Sequence, residues 1–362
     1  MPAVAAARRE ESKAVAIAGR VVVLVVGFRN PGDIVACLQA LAEAQPDPSA
    51  EVFIAENGGP AAVDALLHQM LDAGHCRIVP NEAIPTDPEL MPRRWRLVWN
   101  RPDGTPRLWL NVAEIAENVG YAGGVNAWLR PLLQVPGWDG AWILNPDAEP
   151  SPTALAELVA YARIHGKGMV GSRLTVSVDS TQIHSRGLAW RKLIAKTEAV
   201  DYHAPITLIP TPDEVDARLD SPSGASLYVT RAMIETIGLM DDRYFLYFED
   251  LDWGLRAKAA GGIGYAHASI VPHAGGTTTR TSDRRTSTLT TYLEFRNRIL
   301  FVRSHYPRLL SWTIAMQVLH AAAFVRAGSF ASMKAALRGL VAGVRGEVGR
   351  PDHILEAWRR NV

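Results

Sequence analysis

The chain has only two cysteines, Cys37 and Cys76, in 362 residues. Two thiols far apart give neither a metal-ligand spacing nor a disulfide framework, so a reducing compartment is the simpler expectation. A G-x-G-x-x-G fingerprint is missing where a dinucleotide-dependent oxidoreductase would need it, after the first apolar run; Gly27-Phe28-Arg29-Asn30-Pro31 stands there instead. The same five residues are a poor match to the glycine-rich, basic loop that a sugar-nucleotide pyrophosphorylase carries at this point. No repeat or low-complexity tract is visible. Residues 1–19 lack the long apolar core of a signal peptide and read as a flexible leader. The net charge is only +1, and no nucleic-acid partner is expected.

What is present is an ordinary globular composition, 48% hydrophobic and 21% charged, long enough for one large catalytic domain and an appendage. The charge is unevenly spread. From Arg280 onward there are 14 Lys/Arg against 5 Asp/Glu, a surplus of +9, which leaves −8 for the preceding part. An acidic body with a basic tail suggests different partners for the two.

Val21–Val26 is a continuous β-branched run, as in a strand buried on both faces. Helical spacing follows over residues 33–44, then a strand over 52–55, a helix over 61–71, a helix over 154–164 and a strand over 169–174. Such alternation predicts an α/β fold with a mostly parallel sheet between helices, and ligands beyond the strands' carboxyl ends. Residues 81–111 look like an insertion. Alternating residues on either side of Pro102-Asp103-Gly104 predict a hairpin, either a cap or a surface decoration. Residues 177–221 give no clear assignment.

Three segments carry chemistry. Tyr244 to Asp252 sets Glu249, Asp250 and Asp252 beside a dense aromatic run. Apolar neighbours can raise one acid's pKa while its neighbour stays ionised, which suits a general base; the plain alternative is an acidic helix start. Trp142 to Pro150 is an apolar strand ending in Asp147-Ala148-Glu149, where carboxylates can hold a divalent ion. Asn118 to Asn126 supplies glycines for close backbone approach and two amides.

Together these segments resemble the inverting family 2 glycosyltransferases, particularly the rhamnosyltransferase and galactofuranosyltransferase-like branch. The resemblance runs from about Val21 to Pro307. Further matching pieces are Val21–Asn30, Glu51–Gly58, Ser223-Gly224-Ala225-Ser226, Val271-Pro272-His273 and Phe295-Arg296-Asn297. Two departures stand out: Glu56 occupies a position where the family usually has Asp, and Glu149 adds a second carboxylate to the metal turn.

The resemblance implies a GT-A-type catalytic domain over 20–280 and a helical region over 281–362. It implies a cytoplasmic enzyme using Mn2+ or Mg2+. The donor would be a UDP- or dTDP-sugar, and the acceptor a hydroxyl of a glycan or polyprenyl-linked glycan. Asp250 would be the base, assisted by Glu249. Phe28, Asn30, Glu56, Asn118, Gly120 and Asn126 would border the nucleotide, and Asp147, Glu149 and His273 the metal. Gly224, Ala225, Asp252 and Arg296 would meet the substrates. A non-catalytic glycan-binding subunit is the alternative from another class.

After Arg308 the pattern changes. Residues 309–325 are a 17-residue run broken mainly by Gln317 and His320, a little short for a membrane span. A second apolar stripe runs from Phe330 to Val344, with Lys334, Arg338 and Arg345 facing elsewhere. Arginine-rich amphipathic helices predict peripheral attachment to an anionic membrane; a helical lid on the catalytic domain is the plainer alternative. Oligomeric state is left open.

Overall fold

The computed structural model describes residues 20–359 except 46, 73, 75, 82–83, 102, 177–179 and 274–286. The leader expected over 1–19 lies outside them. In chain order the first half runs β1 (Val21–Gly27), α1 (Pro31–Ala42), β2 (Ala50–Glu56), α2 (Pro60–Asp72), β3 (Cys76–Val79), β4 (Arg94–Asn100), β5 (Pro106–Glu114), α3 (Gly120–Leu132) and β6 (Gly140–Leu144). Then come α4 (Ala154–His165), β7 (Met169–Thr175), β8 (Ile183–Ser185), β9 (Leu188–Arg191), β10 (Lys196–Ala199), α5 (Pro212–Asp216), β11 (Ser226–Thr230), α6 (Arg231–Ile237), α7 (Glu249–Ala259) and β12 (Ile263–Pro272). Four helices close the described chain: α8 (Thr288–His305), α9 (Leu310–Arg326), α10 (Phe330–Arg345) and α11 (Asp352–Arg359).

The main sheet has the order β12-β7-β11-β6-β1-β2-β5-β4-β3, with β8 paired to β7. Its centre, β6-β1-β2-β5, is parallel. Every residue of β1 is buried, because helices cover both faces: Val22, Leu24 and Val26 pack on one side, Val21, Val23 and Val25 on the other. This is why the run lacks the polar alternation of a half-exposed strand. Toward the edges the sheet is mixed, since β11, β4 and β3 run antiparallel to their neighbours.

The segment 81–111 is neither cap nor decoration. Its hairpin is β4–β5, and β5 pairs in parallel with β2 from Glu51↔Trp109 to Glu56↔Glu114. A polar seam is buried in it: Asn111 Nδ2 donates to Glu51 Oε1 at 2.8 Å, and Arg96 pairs with the same oxygen at 3.4 Å.

Strand directions place the chemistry. β1, β2, β6, β7 and β12 end at one edge of the sheet, and β11 begins there, with Ser226 opposite Leu144. Phe28–Asn30, Glu56, Asn145–Asp147, Ser223–Ala225 and His273 therefore share that edge, the usual ligand side of an α/β sheet.

Candidate functional site

The acidic segment is built on strained backbone. Phe245, Tyr247 and Phe248 have φ of 66°, 70° and 76°, a left-handed conformation that costs a bulky non-glycine residue about 1–3 kcal/mol each. The surroundings hold it. Asn297 of α8, fully buried, directs its amide at three carbonyls, those of Tyr244 (2.9 Å), Leu246 (2.8 Å) and Tyr247 (2.9 Å). Arg296 donates to Tyr244 O at 2.8 Å. From the other side Tyr121 N donates to Phe245 O at 2.7 Å. Gly120 has φ of 79°, and a Cβ there would run into that same oxygen. Here a side chain is excluded both by conformation and by space.

This strained turn delivers Glu249 and Asp250 to the first turn of α7. Asp250 Oδ2 accepts from Gly224 N at 2.9 Å, and Oδ1 accepts from Leu251 N at 2.8 Å. Gly224 O in turn accepts the Tyr121 hydroxyl at 2.8 Å. Burial raises the Asp250 carboxyl, while the Gly224 and Leu251 N–H groups act to lower it. Glu249 is 5% exposed and its Oε2 has no hydrogen-bond partner. Burial first, and then the Asp250 charge, push it up to about 8. Both carboxyls are thus raised, Glu249 by burial and then by the Asp250 charge, while the Gly224 and Leu251 N–H groups favour the ionised form of Asp250.

A stability prediction follows from the sign of that shift. A carboxyl whose folded pKa lies above its unfolded value stabilises the fold fully below the unfolded pKa of 4.5 and loses that contribution as pH rises toward about 8. Glu249→Gln cannot ionise, so it should gain melting temperature over wild type between pH 5 and pH 8, and the gain should grow with pH. A pH-independent difference in thermal melts would contradict the assignment.

The second half of the site lies at the end of β6. The isolated bridge between Ala148 and His273 brings the histidine against the turn. His273 Nε2 lies 3.1 Å from Asp147 Oδ1 and 3.0 Å from Asn145 Nδ2. Both Asp147 and His273 side chains are 8% exposed, and His273 Nδ1 is buried without a hydrogen-bond partner. Asn145 N donates to Ala225 O at 3.0 Å, which ties the turn at the end of β6 to the Gly224 loop.

Tyr121 joins the halves. Its phenol is raised well above the usual range by burial, then by Glu249, Asp250 and Asp147 in that order. One side chain thus responds to the acid pair and to Asp147 together. Tyr121 lies within the Asn118–Asn126 segment with no role expected of it; its place directly after Gly120 was the one signal in the sequence.

A divalent ion fits the Asp147–His273 pair by chemistry: one carboxylate oxygen and one imidazole nitrogen at the sheet's ligand edge. Among the described residues no group of three His, Cys, Asp or Glu side chains could hold a metal, so the remaining ligands would come from donor and solvent.

Other expected residues stand elsewhere. Glu149 is exposed, and only its backbone N–H, donating to Pro272 O at 2.9 Å, fixes the turn; its carboxylate does not complete a metal cluster. Glu56 is fully buried, and its Oε1 accepts from Arg29 N (3.1 Å) and Gly58 N (2.7 Å), so it staples the β1 turn to the end of β2, while its Oε2 has no hydrogen-bond partner. Burial raises its carboxyl against those two N–H bonds. Phe28 stays half-buried with Arg29 over its ring at 5.3 Å. Asn30 caps its own turn, accepting from Phe28 N at 3.0 Å.

Asn118 Oδ1 accepts from Gly120 N at 2.9 Å and shapes the loop. Asn126 is 2% exposed inside α3 and donates to Met240 O at 2.8 Å. Both line a groove of about 750 Å³ along α3 that contains neither Asp147 nor Asp250. Arg296 is 1% exposed and bonded to Gly349 O, Tyr244 O and Asn297 Oδ1, so it belongs to the core and not beside a diphosphate.

Asp252 is likewise internal, at 2.6 Å from His305 Nε2 and 2.9 Å from Arg256 Nε. Burial would raise its carboxyl, but the His305 hydrogen bond and the Arg256 charge outweigh it and hold it below the usual range. It locks α7 to α8. Ala225 lies 7% exposed behind Asn145.

The sheet and the position of its ligand edge are those of the GT-A architecture. No protein-family model matches the chain. The low-salt glycan biosynthesis hexosyltransferase Agl10 of Haloferax volcanii is 23% identical over 195 residues, which is 53% of this chain and 59% of that protein. The chain thus spans less than two thirds of that curated relative's length. The mannosyltransferase PcManGT of Pyrobaculum calidifontis, solved with GDP-Man and Mn2+, is similar with a TM-score of 0.51 at 13% identity, covering 90% of this chain and 87% of that one. GalNAc-T7, solved with UDP, GalNAc and Mn2+, gives a TM-score of 0.52 at 11% identity over 81% of this chain and 48% of its own. At such identities the likeness shows the shared fold.

Proposed function

We propose that this chain is an inverting glycosyltransferase. It moves a sugar from a UDP- or dTDP-sugar to a hydroxyl of a glycan or lipid-linked glycan, as the resemblance to the rhamnosyl- and galactofuranosyl-transferase branch of family 2 implies. The observation that carries the reading is the convergence of Asp147–His273 and Glu249–Asp250 around Tyr121. One side offers a cation site and the other a poised carboxylate. Supporting it are the relative named a hexosyltransferase and the two neighbours of like fold solved with nucleotides or nucleotide sugars and Mn2+.

Asp147 and His273 would hold a divalent ion, whose charge stabilises a departing diphosphate. Phe28 offers a ring for the base. Asp250 takes the proton from the acceptor hydroxyl while that oxygen forms its bond to the anomeric carbon. The bond from that carbon to the nucleotide diphosphate breaks in the same displacement, so the configuration inverts. The Gly224 and Leu251 N–H groups fix the carboxylate, and neutral Glu249 avoids placing a second charge beside it. The cytoplasmic face of a membrane is the location this reading gives.

The test is turnover of a panel of uridine- and thymidine-diphosphate sugars with Mn2+, read as nucleotide released, with the product anomer assigned by NMR. Nucleotide release with an inverted product supports the reading. A retained anomer removes the single displacement, and no turnover or binding of any donor removes the function.

A further inference from the structure

The described helices after α8 are packed on one side and open on the other. Gly339 and Gly343 let α10 approach the backbone of α8 at Tyr292 O and Arg296 O, closer than a Cβ would permit. α9 seats Thr313, Gln317 and Ala321 inward, and Gln317 Nε2 donates to Phe295 O at 3.1 Å. Apolar residues are left facing out: Trp312 (49% exposed), Leu319 (61%), Phe330 (66%) and Val341 (47%) among them. A patch of this kind marks an interaction surface.

Its charge is of one sign. No Asp or Glu occurs between Glu294 and Glu347. Over the outward faces Arg308, Arg326, Lys334, Arg338 and Arg345 are all exposed. A protein partner could meet the apolar part alone. Apolar side chains ringed by uncompensated cations match a surface with acyl chains beneath anionic headgroups.

A second element joins this surface. The β9–β10 hairpin, which is separate from the main sheet, carries exposed Lys192, Leu193 (81%) and Ile194 at its tip. Trp312 Nε1 donates to Leu193 O at 2.9 Å, so tip and helix α9 are held side by side. The hairpin's other end reaches the catalytic segment: Trp190 packs edge-on against Phe248, the residue before Glu249, with ring centroids 6.2 Å apart.

We propose that α9, α10 and the Lys192–Ile194 tip form one docking surface for an anionic lipid bilayer. The helices lie on the headgroups and the hairpin tip enters them. Resting on the transferase reading above, this surface would bring the Glu249–Asp250 end of the site to an acceptor held in the membrane. The 20-residue segment Pro307–Arg326, of mean hydropathy 1.3, is long and apolar enough to span. Spanning would strip Gln317 and Trp312 of their partners, whereas surface docking keeps them.

The experiment is co-sedimentation of the full chain with phosphatidylcholine vesicles, with and without about one-third phosphatidylglycerol. Binding should require the anionic lipid and fall steeply with salt. Arg338→Glu with Arg345→Glu should weaken it by about fivefold or more per residue. Leu193→Asp with Ile194→Asp should weaken it comparably, though the hairpin is remote in sequence from the helices. Nucleotide binding by these variants should be unchanged, so loss of vesicle binding and failure of the transferase reading are separate results. Equal binding to neutral vesicles, none to either, or resistance to carbonate extraction would overturn the proposal. So would self-association in analytical ultracentrifugation that these substitutions abolish, since the face would then serve a second copy.

Discussion

Asp250→Asn should lower turnover by about 10²–10⁴-fold, roughly 3–5 kcal/mol of barrier, and leave donor affinity nearly unchanged. Asparagine keeps the shape but has one acceptor oxygen, so it retains one of the two bonds that fix the carboxylate, from Gly224 N or Leu251 N, and turns its amide NH2 toward the other. It cannot take a proton at neutral pH. Glu249→Gln should be less damaging, because burial and the neighbouring Asp250 charge push Glu249 up to about 8, toward the neutral form that glutamine mimics. The measurement is steady-state turnover beside isothermal titration with the donor nucleotide. A folded Asp250→Asn protein with near-normal turnover would remove the base assignment, and a reversed ranking would transfer the role to Glu249.

Asn297→Ala should be the most damaging change away from the reacting groups. It withdraws the amide that serves three carbonyls of a buried, strained turn. Tyr244 O keeps Arg296 as a donor, so two carbonyls lose theirs; at about 1–3 kcal/mol for each unsatisfied buried group, a loss of roughly 2 kcal/mol or more is expected. Left-handed Phe245, Tyr247 and Phe248 would then relax, and the acid pair would shift with them. Turnover should fall by more than donor affinity, since the amide touches the acid turn and not the metal turn. Asn297→Asp, equal in shape but without donors, should fail in the same way. Thermal melts and a kcat-against-KM comparison read this directly; a stable variant with normal kcat would show that the turn holds itself.

Much of this arrangement is legible in the sequence. β1 could be read because a six-residue β-branched run has few alternatives to a strand buried on both faces. Asp147 and His273 were grouped by the family resemblance, and the structure sets both at strand ends on one edge of the sheet. The acid segment was conspicuous because carboxylates rarely follow four aromatics without a reason.

What stayed hidden was tertiary. The alternation in residues 94–111 specifies a hairpin but not that β5 would add in parallel to β2. β8, β9 and β10 are three or four residues each, too short to show a period. Arg296 and Asn297 look like solvated helix residues until α10 covers α8 and buries them, and nothing local shows that their targets are carbonyls about fifty positions earlier. Glu56 illustrates the same limit: its place after a strand was readable, but its inward turn toward Arg29 and Gly58 depends on the shape of the neighbouring loop.

The central claim is that a divalent ion held by Asp147 and His273 binds the donor's diphosphate at this edge. Titrating UDP and dTDP calorimetrically, with and without Mn2+, into wild type and Asp147→Ala tests it most directly. The account predicts that Mn2+ tightens nucleotide binding in wild type, that Asp147→Ala abolishes this enhancement, and that Glu149→Ala retains it. Equal enhancement by Mn2+ in wild type and Asp147→Ala would contradict it.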